Sequence, residues 1–282
     1  MNPTESQSKH FTTSDGVRLH YLEAGTGEPL VLIHGWSQCA EEFKHQIVGL
    51  SGSYRVIAID QRGHGESEKP GFGYKIHRLS KDLRELLISL DLSDVIVLGH
   101  SMGCSVIWGY WELFGADRLA KLILVDEPPH LTSNPAWTPA ETEAAGPIFS
   151  PESAYDTCNG LAGPDGEETT RAVIGGMLTK NCPEDVKEWI FQCNFRMTRQ
   201  DASTLMFNHA FQDWRDVIPR ITLPTIAIGG RVSAVPWKSV EWTARQIKGA
   251  QLEIFEEEEG GNHFMFIENP DKFNRIVKEF IG

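Results

Sequence analysis

The chain has 282 residues, with 26 Lys and Arg against 39 Asp and Glu, a formal charge of −13, and 40% hydrophobic residues. That length suits one domain, or one domain with an insertion. The negative balance argues against nucleic-acid and anionic membrane partners, leaving a small molecule as the expected one.

In chain order, β-branched and apolar runs near 18–23, 30–33, 55–59, 95–98, 122–125, 225–228 and 251–255 predict strands. Most are apolar on both faces, as in a parallel sheet buried on both sides. Leu79, Leu83, Leu86, Leu87 and Leu90 recur at helical spacing between two of these runs. Strand alternating with helix predicts an α/β fold, a doubly wound, mostly parallel sheet. After Val125 the alternation stops. Residues 128–220 are rich in proline and carry helical patterns with no convincing buried strand. They are expected to form an inserted helical cap over the ligand-binding edge of a core made of 1–127 and 221–282.

The segment Gly99-His100-Ser101-Met102-Gly103 follows the 95–98 run and opens a helical pattern through Val106, Ile107 and Tyr110. G-x-S-x-G between strand and helix is the layout of a nucleophile elbow, which exposes the serine Oγ on a strained turn. Such a serine needs a base. Of ten histidines, His263 stands on a loop after the last predicted strand, behind Gly260 and Gly261. His34 and His64 fall in turn motifs and are expected to make structural hydrogen bonds.

Together with Val31-Leu32-Ile33-His34-Gly35-Trp36, Gln61-Arg62-Gly63-His64-Gly65-Glu66-Ser67 and Gly260-Gly261-Asn262-His263-Phe264, the elbow resembles the α/β-hydrolase superfamily. The resemblance implies Ser101 as nucleophile, His263 as base, and an oxyanion hole from the Met102 and Trp36 amides. Most relatives place the third, acidic member after the strand at 225–228, in a loop like Gly-Gly-x-Asp. This chain has Arg231-Val232-Ser233 there, and no Asp between Asp216 and Asp271. The superfamily's other placement, the end of the preceding strand, points to Asp126, with Glu127 and Glu241 as competing acids. His100, Trp137, Phe149, Trp189 and Phe264 are expected to line a substrate pocket.

A serine at the elbow argues against the dehalogenase and epoxide hydrolase branches, which use aspartate there. What the resemblance leaves is cleavage of an ester or lactone of a small apolar or aromatic molecule, in the manner of esterases, lactonases and the cofactor-free haloperoxidases. No cofactor or metal is expected. The alternative is a cofactor-independent dioxygenase that opens 3-hydroxy-4-oxo-quinoline-type rings, a subgroup that Trp36 and Asp126 fit. Histidine in place of Met102 would have strengthened that reading.

The five cysteines are odd in number and form no C-x-x-C pair, so neither a disulfide framework nor a zinc site is indicated. The N-terminus lacks the basic and apolar regions of a signal peptide, and no apolar run reaches membrane-spanning length. A cytoplasmic location is the expectation; the sequence leaves the oligomeric state open.

Overall fold

The apolar runs become the strands of a single eight-stranded sheet in the computed structural model, which describes residues 6–282. The strands are β1 (Gln7–Thr12), β2 (Arg18–Ala24), β3 (Glu28–Ile33), β4 (Tyr54–Ile59), β5 (Val95–His100), β6 (Leu119–Val125), β7 (Thr225–Gly230) and β8 (Gln251–Phe255). Their order is β1-β2-β4-β3-β5-β6-β7-β8. β1, β2 and β4 pair antiparallel, and every later pairing is parallel. The sheet is therefore mostly parallel, as expected. All residues of β5 and β7 are buried, whereas the edge strand β8 keeps Gln251 and Leu252 exposed.

β1 is the strand that the apolar pattern misses. Only Phe11 of its six residues is buried, because it pairs along one edge of the sheet and has water on the other. Its hairpin turn places Gly16 at φ +86°, a conformation that favours glycine.

The helices are α1 (Lys44–Leu50), α2 (Ile76–Ser89), α3 (Met102–Phe114), α4 (Pro139–Ala145), α5 (Pro151–Ala162), α6 (Gly166–Gly175), α7 (Glu184–Asn194), α8 (Arg199–Ala210), α9 (Trp237–Gln246), α10 (Met265–Glu268) and α11 (Pro270–Ile281). α2 buries Leu79, Leu83, Leu86 and Leu87. α3 departs from a one-faced pattern, since every residue from Met102 to Tyr110 is buried. Thus Val106, Ile107 and Tyr110 belong to a helix packed on all sides.

Five helices, α4 to α8, occupy the stretch between β6 and β7, where an isolated bridge joins Thr132 to Phe149. α4 and α5 each start with a capping box, Thr138 with Glu141 and Ser150 with Ser153, followed by proline. These caps satisfy amides that a helix start otherwise leaves unbonded. The segment is tied down onto the sheet's loops: Trp36 Nε1 donates to Ala202 O at 2.8 Å, and Ser37 Oγ to Asn194 O at 3.0 Å.

Candidate active site

β3 has β4 on one side and β5 on the other, so the chain reverses direction across the sheet at β3. Such a reversal opens a crevice beyond the carboxyl ends of the strands. Gly35 and Trp36 follow β3 there, and Ser101 follows β5. Ser101 has φ 53° and ψ −128°, and its hydroxyl does not cap the helix it starts. That strained turn leaves the side chain half-buried and facing a cavity. The glycines at either end allow it: a Cβ on Gly103 would lie 2.3 Å from Ile33 O, and one on Gly99 would lie 2.5 Å from the Gly103 carbonyl carbon.

His263 comes to the same cavity from the loop after β8. Its Nδ1 lies 2.7 Å from Asp126 Oδ2. An Nδ1–H donating to that carboxylate leaves Nε2 as the basic nitrogen. Asp126, itself at φ 55°, is held on both oxygens. Gly230 N donates to Oδ1 at 3.1 Å, and Ser233 Oγ to Oδ2 at 2.5 Å. The loop after β7 thus supplies a hydroxyl donor to an acid carried by β6. Val232, at the place of the aspartate in a Gly-Gly-x-Asp loop, is 42% exposed and does not line the cavity.

The competing acids lie elsewhere. Glu241 pairs with Arg245 along α9. Glu127 Oε1 is 2.6 Å from His209 Nε2 and accepts from Ser105 Oγ at 3.0 Å. Glu127 and His209 both line the cavity with Ser101 and His263, and nothing in the local sequence marks them as partners.

Two backbone amides at the crevice lack a protein acceptor among the described residues. Met102 N–H is the first of α3, among the amides a helix leaves unbonded. Gly35 N–H is taken by Gln38 Oε1 and Ser37 N–H by His64 Nε2, while the Trp36 N–H between them has no acceptor among the described residues. His34 and His64 build this loop. Nδ1 of His64 donates to Arg62 O, and Nε2 of His34 accepts from Gln61 N. Burial pushes both rings below the usual histidine range, well below it for His64, so they stay neutral and can accept. Asp60 clamps the same loop, accepting from Ala40 N, Glu66 N and the His20 ring.

Of the expected pocket residues, Phe149 lines the cavity, with Leu131, Ile174, Met177 and Met206 as further apolar walls. The other four require correction. His100 is wholly buried behind the site, its Nε2 donating to His263 O at 2.9 Å and its Nδ1 3.0 Å from Gln38 Oε1. Phe264 is wholly buried and packs edge-on to His263. Trp137 lies under Arg215 beside a separate open groove. Trp189 stacks beneath Lys44 and bonds Glu41. For both tryptophans a cation over the ring holds the indole away from the crevice, and neither lines the cavity that holds Ser101.

All five cysteines are free and buried. Cys39 Sγ, Cys193 Sγ and a Glu41 carboxylate oxygen gather within 4.8 Å of one another. The neighbouring Cys193 thiol and burial both push the Cys39 thiol strongly upward, so it is held protonated.

This sheet order, with a serine elbow at its reversal point, defines the α/β-hydrolase fold. The alpha/beta hydrolase family model matches residues 30–276, and the chain belongs to that family. A non-heme haloperoxidase of Rhodococcus erythropolis is 36% identical over 282 residues, covering 96% of this chain and 98% of that one. An esterase from Exiguobacterium antarcticum superposes with a TM-score of 0.88 at 25% identity, over 98% of this chain and 100% of that one. A bromoperoxidase from Bacillus anthracis gives the same TM-score at 24% identity, over 98% and 99%, and shares the fold. Among the described residues, no helix is long and apolar enough to cross a membrane.

Proposed function

We propose that the chain is a serine hydrolase that cleaves small esters or lactones through an acyl-enzyme on Ser101. The observation that carries this reading is the 2.7 Å contact of His263 Nδ1 with Asp126, at a cavity that the strained Ser101 also lines. Ser101 Oγ attacks the substrate carbonyl while His263 Nε2 takes its proton. Asp126 holds the ring's tautomer and stabilises the imidazolium. The Met102 and Trp36 amides receive the oxyanion. His263 then returns the proton to the leaving alcohol, and water enters by the same route in reverse. Residues 128–220 act as the cap that closes this chemistry off from bulk water. The similarity to proteins named as esterases and haloperoxidases supports acyl transfer, and the narrow apolar walls favour a small acyl group.

The test is Ser101→Ala with aryl esters and lactones. Loss of at least about 10³-fold in kcat with an unchanged thermal melt is expected for a nucleophile that acts as part of a unit. Mass spectrometry of the wild type mixed with an activated ester should show one acyl group on Ser101. Retained turnover in the variant, with oxygen uptake on a 3-hydroxy-4-quinolone, would replace this reading by ring cleavage.

A further inference from the structure

Glu127 stands out when the buried carboxylates near the site are compared by what their oxygens touch. Asp126 has both oxygens occupied by donors, and so does Asp60. Glu127 concentrates two partners, His209 and Ser105, on Oε1 alone. Its side chain is 2% exposed, yet Oε2 has no donor among the described residues and is not among the polar atoms sealed from solvent without a partner. The residue lines the cavity beside Ser101. A carboxylate oxygen that faces a cavity without a donor from the protein is left to be satisfied by water or by a bound molecule.

The surrounding geometry fixes that oxygen rather than leaving it to roam. His209, on α8, has its Nε2 against Glu127 Oε1, and its Nδ1 is buried without a partner among the described residues, so the ring's one hydrogen-bonding edge is turned to the carboxylate and Ser105. Ser105 stands four residues after Ser101 on α3, about one helical turn away. Glu127 immediately follows Asp126, the carboxylate on His263. Oε1 is therefore tied to a hydroxyl about one turn along from the nucleophile, and the carboxylate that carries the free oxygen lines the same cavity as Ser101 and His263.

We propose that Glu127 is the specificity-determining residue of the cavity, binding a hydrogen-bond donor that the substrate carries close to its scissile carbonyl. The substrate class is then an ester or lactone with a hydroxyl or amino group on its acyl part. This inference rests on the hydrolase reading and narrows it.

Three p-nitrophenyl esters separate the possibilities: butyrate, 3-hydroxybutyrate and 3-aminobutyrate. The wild type should favour one or both donor-bearing esters over butyrate by about 10- to 100-fold in kcat/KM, the range of a hydrogen bond to a charged group. The ester that gains more identifies the donor. Glu127→Gln should erase that preference by lowering kcat/KM on the donor-bearing esters far more than on butyrate. Glu127→Asp, which draws the free oxygen back by one methylene, should reduce it and serves if the first variant does not fold. Equal rates on all three esters in the wild type, or an equal loss on all three in the variants, would overturn the inference, because a structural role acts on every substrate alike. The matching N-methylamides, titrated calorimetrically into Ser101→Ala, read binding without chemistry. A donor preference there that Glu127→Gln removes, with no ester turned over by the wild type, would uphold the inference and sink the hydrolase reading.

Discussion

At the residue scale, the most informative departure from the common pattern is the split of the acid between two loops. Ser233, one position beyond the expected aspartate, places its hydroxyl on Asp126 Oδ2, the same oxygen that meets His263. A carboxylate at 233 therefore falls near the imidazole, whereas one at the exposed position 232 does not. Asp126→Asn should lower kcat on an ester by about 10³ to 10⁴-fold by presenting the wrong tautomer. Adding Ser233→Asp in that background should recover part of the loss, and Val232→Asp should recover less. Steady-state kcat on one ester, with folding checked by thermal melts, decides it; a near-normal rate for folded Asp126→Asn would remove the carboxylate from the mechanism. Ser101 and His263 were legible because each sits in a local turn signature that needs no partner to be read. The Glu127, His209 and Ser105 cluster was not, since its members stand 22, 82 and 104 positions apart and meet only through the tertiary fold.

At the scale of elements, the sheet was legible wherever strands are buried on both faces, because β-branched apolar runs have few other uses. β1 escaped because an edge strand facing water has no need of them. Its hairpin did leave a trace, Asp15-Gly16, a pair suited to tight turns. The aromatics of residues 128–220 show the converse problem: Trp137 and Trp189 looked like Phe149 in sequence, yet packing alone decides which ring reaches the cavity. Phe149→Ala should therefore change KM and substrate ranking, while Trp189→Ala leaves the ranking as it was. The elbow depends on close approach of α3 to β3. With a Cβ at 103 lying 2.3 Å from the Ile33 carbonyl oxygen, Gly103→Val must push the start of α3 away from the sheet. We expect a loss of about 1–3 kcal/mol in urea melts, as for overpacked cores, together with a fall in kcat as Ser101 and Met102 move. Gly52→Ala, where a Cβ meets nothing within 4 Å, is the control that should melt like the wild type. Identical melts for the two variants would show that the contact is not limiting.

At the scale of the whole molecule, pH acts through groups that the fold buries in one protonation state. His34, His64 and His100 are wholly buried, and burial lowers each from its ordinary 6.5, strongly for His64 and His100. The unfolded chain therefore binds protons below about pH 6.5 that the folded chain refuses. The stability these rings contribute is present above that pH and is lost as the solution is acidified. Glu42 works in the opposite sense. Burial, with the nearby Cys39 and Glu41, raises it well above its ordinary 4.5, so its contribution is present below pH 4.5 and is lost as pH rises. Asp60 adds a later acid step. Burial alone would raise its carboxyl, but the His20 and backbone hydrogen bonds outweigh burial and bring it from 3.8 to about 2. Its contribution is thus full above pH 3.8 and vanishes as pH falls toward 2. Between pH 6 and 5 these three histidines oppose Glu42, and among these four groups the net effect is falling stability on acidification. Each proton is worth about 1.4 kcal/mol per pH unit. His64→Gln, which keeps an acceptor for the Ser37 amide, should flatten the slope of unfolding free energy against pH by about one proton. Glu42→Gln should steepen it by about one. Urea melts of the three proteins at half-unit steps from pH 7 to 5 measure both slopes, and a His64→Gln slope equal to the wild type's would show that this imidazole is not held neutral in the fold.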